Sequence, residues 1–248
     1  MRLDVFFSPA QIQPVHLAGR VVAVIDVLRA SSTIAAALSN GAKSVVPLDS
    51  ADAVMQQART FERKEVLLAG ERKMMAIAGF DAGNSPAEFT PAVVEGRTVL
   101  LTTTNGTEAL VSIQGAREIV VASFVNFSAV LALLRSALRG GNSIAILCAG
   151  REKQFSLEDA ACAGLFVRHI LKRNPGLELN DSAHASVLLD RKYGGHIEKL
   201  FSDSEHGRAL AEGGFTDDLV VCGRIDAYPL VPMYQDRSIT KLGPGRDR

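Results

Sequence analysis

"VVAVIDVLRASSTIAAAL", residues Val21 to Leu38, contains the pattern that decides the fold. Five apolar residues, Val21 to Ile25, make a strand-length run, and Asp26 ends it. Arg29, Ser31, Ser32 and Thr33 follow before the chain turns apolar again at helix length. An apolar strand that enters a helix through a polar turn is the repeating unit of α/β proteins.

The same alternation runs outward in both directions. Strands are predicted at Leu3–Phe7, Arg20–Ile25, Ser44–Leu48, Glu65–Ala69, Arg97–Thr102, Glu118–Ala122 and Ser143–Cys148. Helices are predicted at Ser32–Ser39, Ala51–Phe61, Gly106–Ile113, Phe127–Arg139 and Leu157–Lys172. This order argues for an α/β fold of mostly parallel sheets flanked by helices. Residues Asp181 to Glu212 read as helical with glycine interruptions, and "DDLVVCGRIDAYPLVPMY" (Asp217–Tyr234) as a return to short strands. No Pro, Gly or Ser-rich linker marks a boundary. Unit count alone divides the chain into lobes of residues 1–120, with the DVLRASST loop, and 121–248, with the SLED loop.

Lys plus Arg and Asp plus Glu both number 27, so no basic excess is available to grip a nucleic acid. No apolar run approaches the length of a membrane span, and the amino terminus has no signal-peptide pattern. Cys148, Cys162 and Cys222 are odd in number and unevenly spaced, which fits a reducing cytoplasm better than a disulfide framework. Buried packing is expected of Cys148 and Cys162, and of Met74 and Met75. The histidines show no metal-ligand spacing, and surface or capping roles are expected of His184, His196 and His206. The composition permits a homodimer.

Three strand-to-helix junctions share a chemistry: "DVLRASST" (Asp26–Thr33), "TTNGTEAL" (Thr103–Leu110) and "AGREKQFSLEDA" (Ala149–Ala160). At the carboxyl edge of a parallel sheet such loops can meet around a ligand. Helix amino termini favour anions, Ser31, Ser32 and Thr33 add hydroxyls, and Arg29 adds a planar fork. Gly106 leaves room for close backbone approach, with Asn105 and Thr107 beside it. The plainer alternative is capping, since "NGTE", "SPAE" and "SLED" all have capping-box spacing, and Asp26 with Arg29 could form a simple ion pair. Glu71, beside Arg72 in "LLAGERK", could add an oxygen to a Mg2+ site or stand in a solvated turn. Glu158 and Asp159 would favour a helix dipole whatever their function.

"VIDVLRASSTIAAAL", "LLAGER", "GFDAGNSPAEF", "TTTNGTEAL", "CAGREKQFSLEDAACAG" and "GRIDAYPLVPMYQDRSIT" occur in that order. Together they resemble the 2-phosphosulfolactate phosphatase (ComB-type) family over nearly the whole chain. The resemblance implies two unlike α/β lobes and a Mg2+-dependent hydrolase that takes phosphate from 2-phospho-3-sulfolactate on the route to coenzyme M. Such a substrate is a small anionic organic phosphate. Asp26, Glu71 and Asp159 are the expected metal residues, and Asp26, Arg29, Glu158 and Asp159 the expected catalytic ones. Ser31, Ser32, Thr33, Arg72, Asn105, Gly106 and Thr107 are the expected substrate contacts, with Arg151 as a further cation. The alternatives are a non-catalytic binder of a small organic phosphate and a phosphatase for another short phosphorylated acid.

Overall fold

The computed structural model describes residues 1–243 of the chain. Its strands are β1 (Arg2–Phe6), β2 (Val21–Ile25), β3 (Ser44–Pro47), β4 (Val66–Arg72), β5 (Met75–Ala76), β6 (Thr98–Thr102), β7 (Glu118–Ala122), β8 (Ile144–Cys148), β9 (Glu178–Leu179), β10 (Pro232–Gln235) and β11 (Ser238–Lys241). The helices are α1 (Pro14–Leu17), α2 (Ala30–Ser39), α3 (Ala51–Ala58), α4 (Pro91–Val94), α5 (Gly106–Ser112), α6 (Phe127–Arg139), α7 (Leu157–Leu171), α8 (Asp181–Tyr193), α9 (Ile197–Asp203), α10 (Glu205–Glu212) and α11 (Thr216–Cys222). Every apolar run expected to be a strand is one, each being a short run of strand length bounded by polar or glycine residues.

The strands form one sheet in the order β5-β4-β6-β3-β11-β10-β7-β2-β8-β1-β9. It consists of two parallel blocks. One pairs β3, β6 and β4; the other pairs β7, β2, β8, β1 and β9. The hairpin β10–β11 joins them, antiparallel to β7 on one side and to β3 on the other. Counted through these pairings, the two blocks run in opposite senses.

Successive side chains along the central strands enter different cores, of which there are three among the described residues. Val22 and Val24 of β2, Leu67 and Ala69 of β4, and Val99 and Leu101 of β6 share one core with Ile34 of α2 and Leu110 of α5. Val21, Ala23 and Ile25 face the other way, into a core with residues of α6 and α7. Val66, Leu68 and Leu100 pack with Val54 of α3. The blocks therefore curl around a shared middle core, and α2 and α5 lie inside it. A flat sheet would put the carboxyl ends of β2 and β6 on opposite edges; the curl brings their following loops together.

The segment Asp217–Tyr234 differs from the expectation of short strands. Its first part is α11, and strand structure returns only at Pro232. Leu219, Val220 and Val221 have strand propensity, but Asp217 and Asp218 occupy the first helical turn, where acids are favoured. Buried Asp218 and Cys222 anchor the helix to the rest of the fold. Tertiary contacts override a weak local preference here.

Candidate active site

Loops after β2, β4, β6 and β8 line one cleft of about 230 Å3, whose wall includes Asp26, Arg29, Glu71, Asn84, Thr104, Asn105, Arg151 and His206. The volume suits a small organic ligand. Distant loops thus converge, as expected from the junction chemistry, although they come from two blocks of opposite sense.

The turn after β2 is built around two aspartates. Asp26 folds the chain back on itself: its amide donates to Ser31 Oγ at 2.9 Å, and its Oδ1 accepts from the Ala30 amide at 3.2 Å. Its Oδ2 takes no part in that bond. Gly106, the first residue of α5, sits against it, and a Cβ there would lie 2.5 Å from Ala30 Cβ and 2.7 Å from Asp26 Oδ2. Asp159 of α7 holds the same turn from behind. Its Oδ1 accepts from the Val27 amide at 2.8 Å and its Oδ2 from the Gly150 amide at 3.1 Å.

Arg29 is buried in the cleft floor. Nη1 donates to Asp218 Oδ2 at 2.6 Å, Nη2 donates to the Met74 carbonyl at 3.0 Å, and the guanidinium lies 4.3 Å from the Phe215 ring centre. The hydroxyls expected to grip a ligand are turned inward instead. Ser31 binds the Asp26 amide, Ser32 donates to the Val27 carbonyl and Thr33 to the Asn84 carbonyl. Thr107 exchanges bonds with Thr103. These hydroxyls replace backbone partners in a tight buried turn, a local use that competes with ligand binding. Arg72 is exposed and donates to the Glu71 carbonyl and Thr102 Oγ1, outside the cleft wall.

Two short turns form the rim. Lys73 and Met74 have φ of 51° and 69°, and Glu152 and Lys153 have 49° and 63°, the left-handed region that two-residue hairpin turns require. Glycine is the usual occupant, so their side chains are retained at a backbone cost. Glu71 Oε2 accepts from the Met74 amide at 2.9 Å and Oε1 from the Thr104 amide at 2.7 Å. The Glu152 amide donates to Asn105 Oδ1 at 2.8 Å. Asn105 therefore makes no cap on α5, whereas Ser156 does cap α7, accepting from the Asp159 amide. Capping accounts for one of these residues and not the other.

Four buried acids crowd this region. Burial pushes the Asp26 carboxyl up to about 6; Glu71 and Glu158 add to the rise, while His206 and the Ala30 amide oppose it. Asp159 is raised well above the ordinary carboxylate range by burial first, then by Asp26 and Glu158. Burial also works to raise Glu158, but hydrogen bonding and charge from His206, whose Nδ1 is 3.5 Å from Oε1, outweigh it and leave that carboxyl lowered. His206, expected on the surface or at a cap, instead stands in the cleft wall beside Glu158. Nothing in its local sequence signals this, because α10 reaches the cleft only through the packing of the carboxyl-terminal helices. Asn84, Thr104 and Asp218 were likewise not legible as site residues. Cys148 and Cys162 are fully buried thiols pushed up by burial, in keeping with packing.

Hard oxygen donors beside a raised carboxyl suit Mg2+, which usually takes one or two carboxylates and fills its remaining positions with water and ligand oxygens. Among the described residues no group of three or more His, Cys, Asp or Glu side chains is arranged to hold a metal ion. A cation here would rest on Asp26 Oδ2, which takes no part in the turn, with Glu71 and Asp159 adding negative charge nearby, since both oxygens of each of those two accept backbone amides.

The fold and cleft define an α/β protein that handles a small ligand at the carboxyl ends of its strands. A family model described as 2-phosphosulpholactate phosphatase matches residues 6–237. A probable 2-phosphosulfolactate phosphatase of Symbiobacterium thermophilum is 42% identical over 227 residues, 92% of this chain and 96% of that one. Proteins with the same description from Thermotoga maritima and Clostridium botulinum are 39% identical over 93% of this chain and 33% over 98%, covering 94% and 100% of their own lengths. The chain belongs to the 2-phosphosulfolactate phosphatase family, a family of phosphoric monoester hydrolases.

Proposed function

We propose that this protein releases phosphate from 2-phospho-3-sulfolactate, leaving 3-sulfolactate. The observation that carries this reading is the convergence of Asp26, Arg29, Glu71 and Asn105, from loops far apart in sequence, on one small cleft. A substrate with phosphate, carboxylate and sulfonate on three carbons needs several donors and a cation, and the family match supplies the substrate class.

A bound Mg2+, held by Asp26 with Glu71 beside it, would neutralise charge on phosphoryl oxygens. Arg29 keeps positive charge at the cleft floor, where its ties to Asp218 and Met74 prevent it from swinging away. A water oxygen bonds to phosphorus as the ester P–O bond breaks, the proton it sheds passes to an oxygen of the phosphate being released, and positioning with charge stabilisation is the main source of rate. The departing alkoxide takes a proton from His206, which Glu158 positions through Nδ1 at 3.5 Å and which regains its proton from solvent. Asp159 acts by holding the turn that carries Asp26, not as the proton donor.

Free phosphate measured after incubation with 2-phospho-3-sulfolactate, with Mg2+ and then with EDTA, tests the reading. Release that EDTA abolishes is expected. D26N and R29A should each lower turnover by at least about a hundredfold in a folded protein. Tight binding without release would make the protein a carrier instead.

A further inference from the structure

Three buried side-chain polar atoms among the described residues have no hydrogen-bond partner, and two of them, Asn84 Oδ1 and Thr104 Oγ1, belong to residues of the same cleft wall. An unpaired buried polar atom forfeits its hydration without replacement, and native proteins keep few. The two residues reach the cleft from different loops, after β5 and after β6. Their backbones are firmly held: the Asn84 carbonyl accepts from Thr33 Oγ1 at 2.8 Å, and the Thr104 amide donates to Glu71 Oε1 at 2.7 Å. Only the side-chain heads are left open, and Asn84 is 5% exposed.

We propose that Asn84 and Thr104 form a binding pair for the oxygens of the phosphorylated acid, Thr104 through its hydroxyl and Asn84 through Nδ2 once the amide is turned to bring it where Oδ1 now stands. This rests on the phosphatase reading above. A threonine hydroxyl can donate to an oxyanion, and an amide that turns about its last bond presents a donor to the same group. Neutral donors add grip without adding charge to a cleft that already contains Arg29, Lys73 and Arg151. They also favour ligands that complete their hydrogen bonds over analogues that leave them open.

The two roles such residues could have predict opposite effects on stability. Removing an unpaired atom breaks no bond inside the protein, so T104V and N84L should melt at or above the wild-type temperature. Each should nevertheless lose about tenfold or more in kcat/KM and in the melting shift produced by inorganic phosphate. T104S keeps the hydroxyl and should stay within about threefold of wild type in kcat/KM. If Leu cannot be accommodated at 84, N84D preserves the size, and its charge should weaken oxyanion binding further. Variants that melt lower yet keep kcat/KM and the phosphate shift would overturn the assignment, as would T104V with wild-type kinetics. A wild-type protein that binds the ester without releasing phosphate would defeat the phosphatase reading alone, because the phosphate melting shift still tests the pair.

Discussion

Arg29 and Asp218 are 189 positions apart in the chain, yet Nη1 and Oδ2 meet at 2.6 Å, with both side chains almost wholly shielded from water. The pair ties the turn after β2 to α11, and the second fork of Arg29 reaches the Met74 carbonyl in the rim. Lysine cannot hold both partners from one planar group. R29K is expected to lower phosphate release by at least about tenfold, and D218N to destabilise the fold by roughly 3–5 kcal/mol because it leaves a buried charge unpaired. Urea unfolding with a parallel activity assay reads both.

Asp26 opposes stability at the place proposed for the cation. Its carboxyl is raised from 3.8 to about 6, so between those values the unfolded chain releases its proton first. Stability contributed by the protonated form is therefore lost as pH rises through this window, by roughly 3 kcal/mol in all. Without divalent cation, D26N should match wild type near pH 4 and melt higher above pH 6, while its turnover falls. Mg2+ should raise the wild-type melting temperature and leave D26N unmoved. Parallel melting curves across pH, with and without Mg2+, check this.

Gly106 is where two helices close on one carboxylate. A methyl group there would press on both Ala30 and Asp26 Oδ2. G106A is expected to cost about 1–3 kcal/mol of stability through overpacking. It should also reduce turnover by about tenfold or more, since a small displacement of a positioned group is costly in rate. An unchanged kcat would mean that Asp26 does not need its present position.

Glu158 and His206 are expected to act as a unit. H206N should lower kcat by about a hundredfold or more on the alkyl phosphate, with a smaller loss on an aryl phosphate whose leaving group needs no proton. E158Q should lower kcat on the alkyl phosphate by about tenfold or more with a smaller loss on the aryl ester, because the carboxylate positions the imidazole. Equal losses on both esters would assign the pair a structural role.

Local pattern determined much of this protein. The strands β1 to β4 and β6 to β8, the helix α2 after "DVLRASST" and the cap at Ser156 follow from short-range chemistry, in which apolar period, strand length and a hydroxyl before a helix are all visible in one window. The same window misleads where packing decides, as in "DDLVVC", a helix despite its strand-like residues. It also does not show that Ser31 accepts and Ser32 donates within the turn itself, or that Thr33 donates to the Asn84 carbonyl.

Ordered motifs in the sequence were sufficient for the family and for the carboxylates and arginine that reach the cleft. Only the tertiary structure decided how they are used. Two blocks of opposite sense had to curl around a shared core before Glu71 and Asn105 could face Asp26. The carboxyl-terminal helices had to fold back before Asp218 could lock Arg29 and His206 could join Glu158. The physical reason is burial: a charge, amide or hydroxyl gains its partner, or is left waiting for one, only when distant segments exclude water around it.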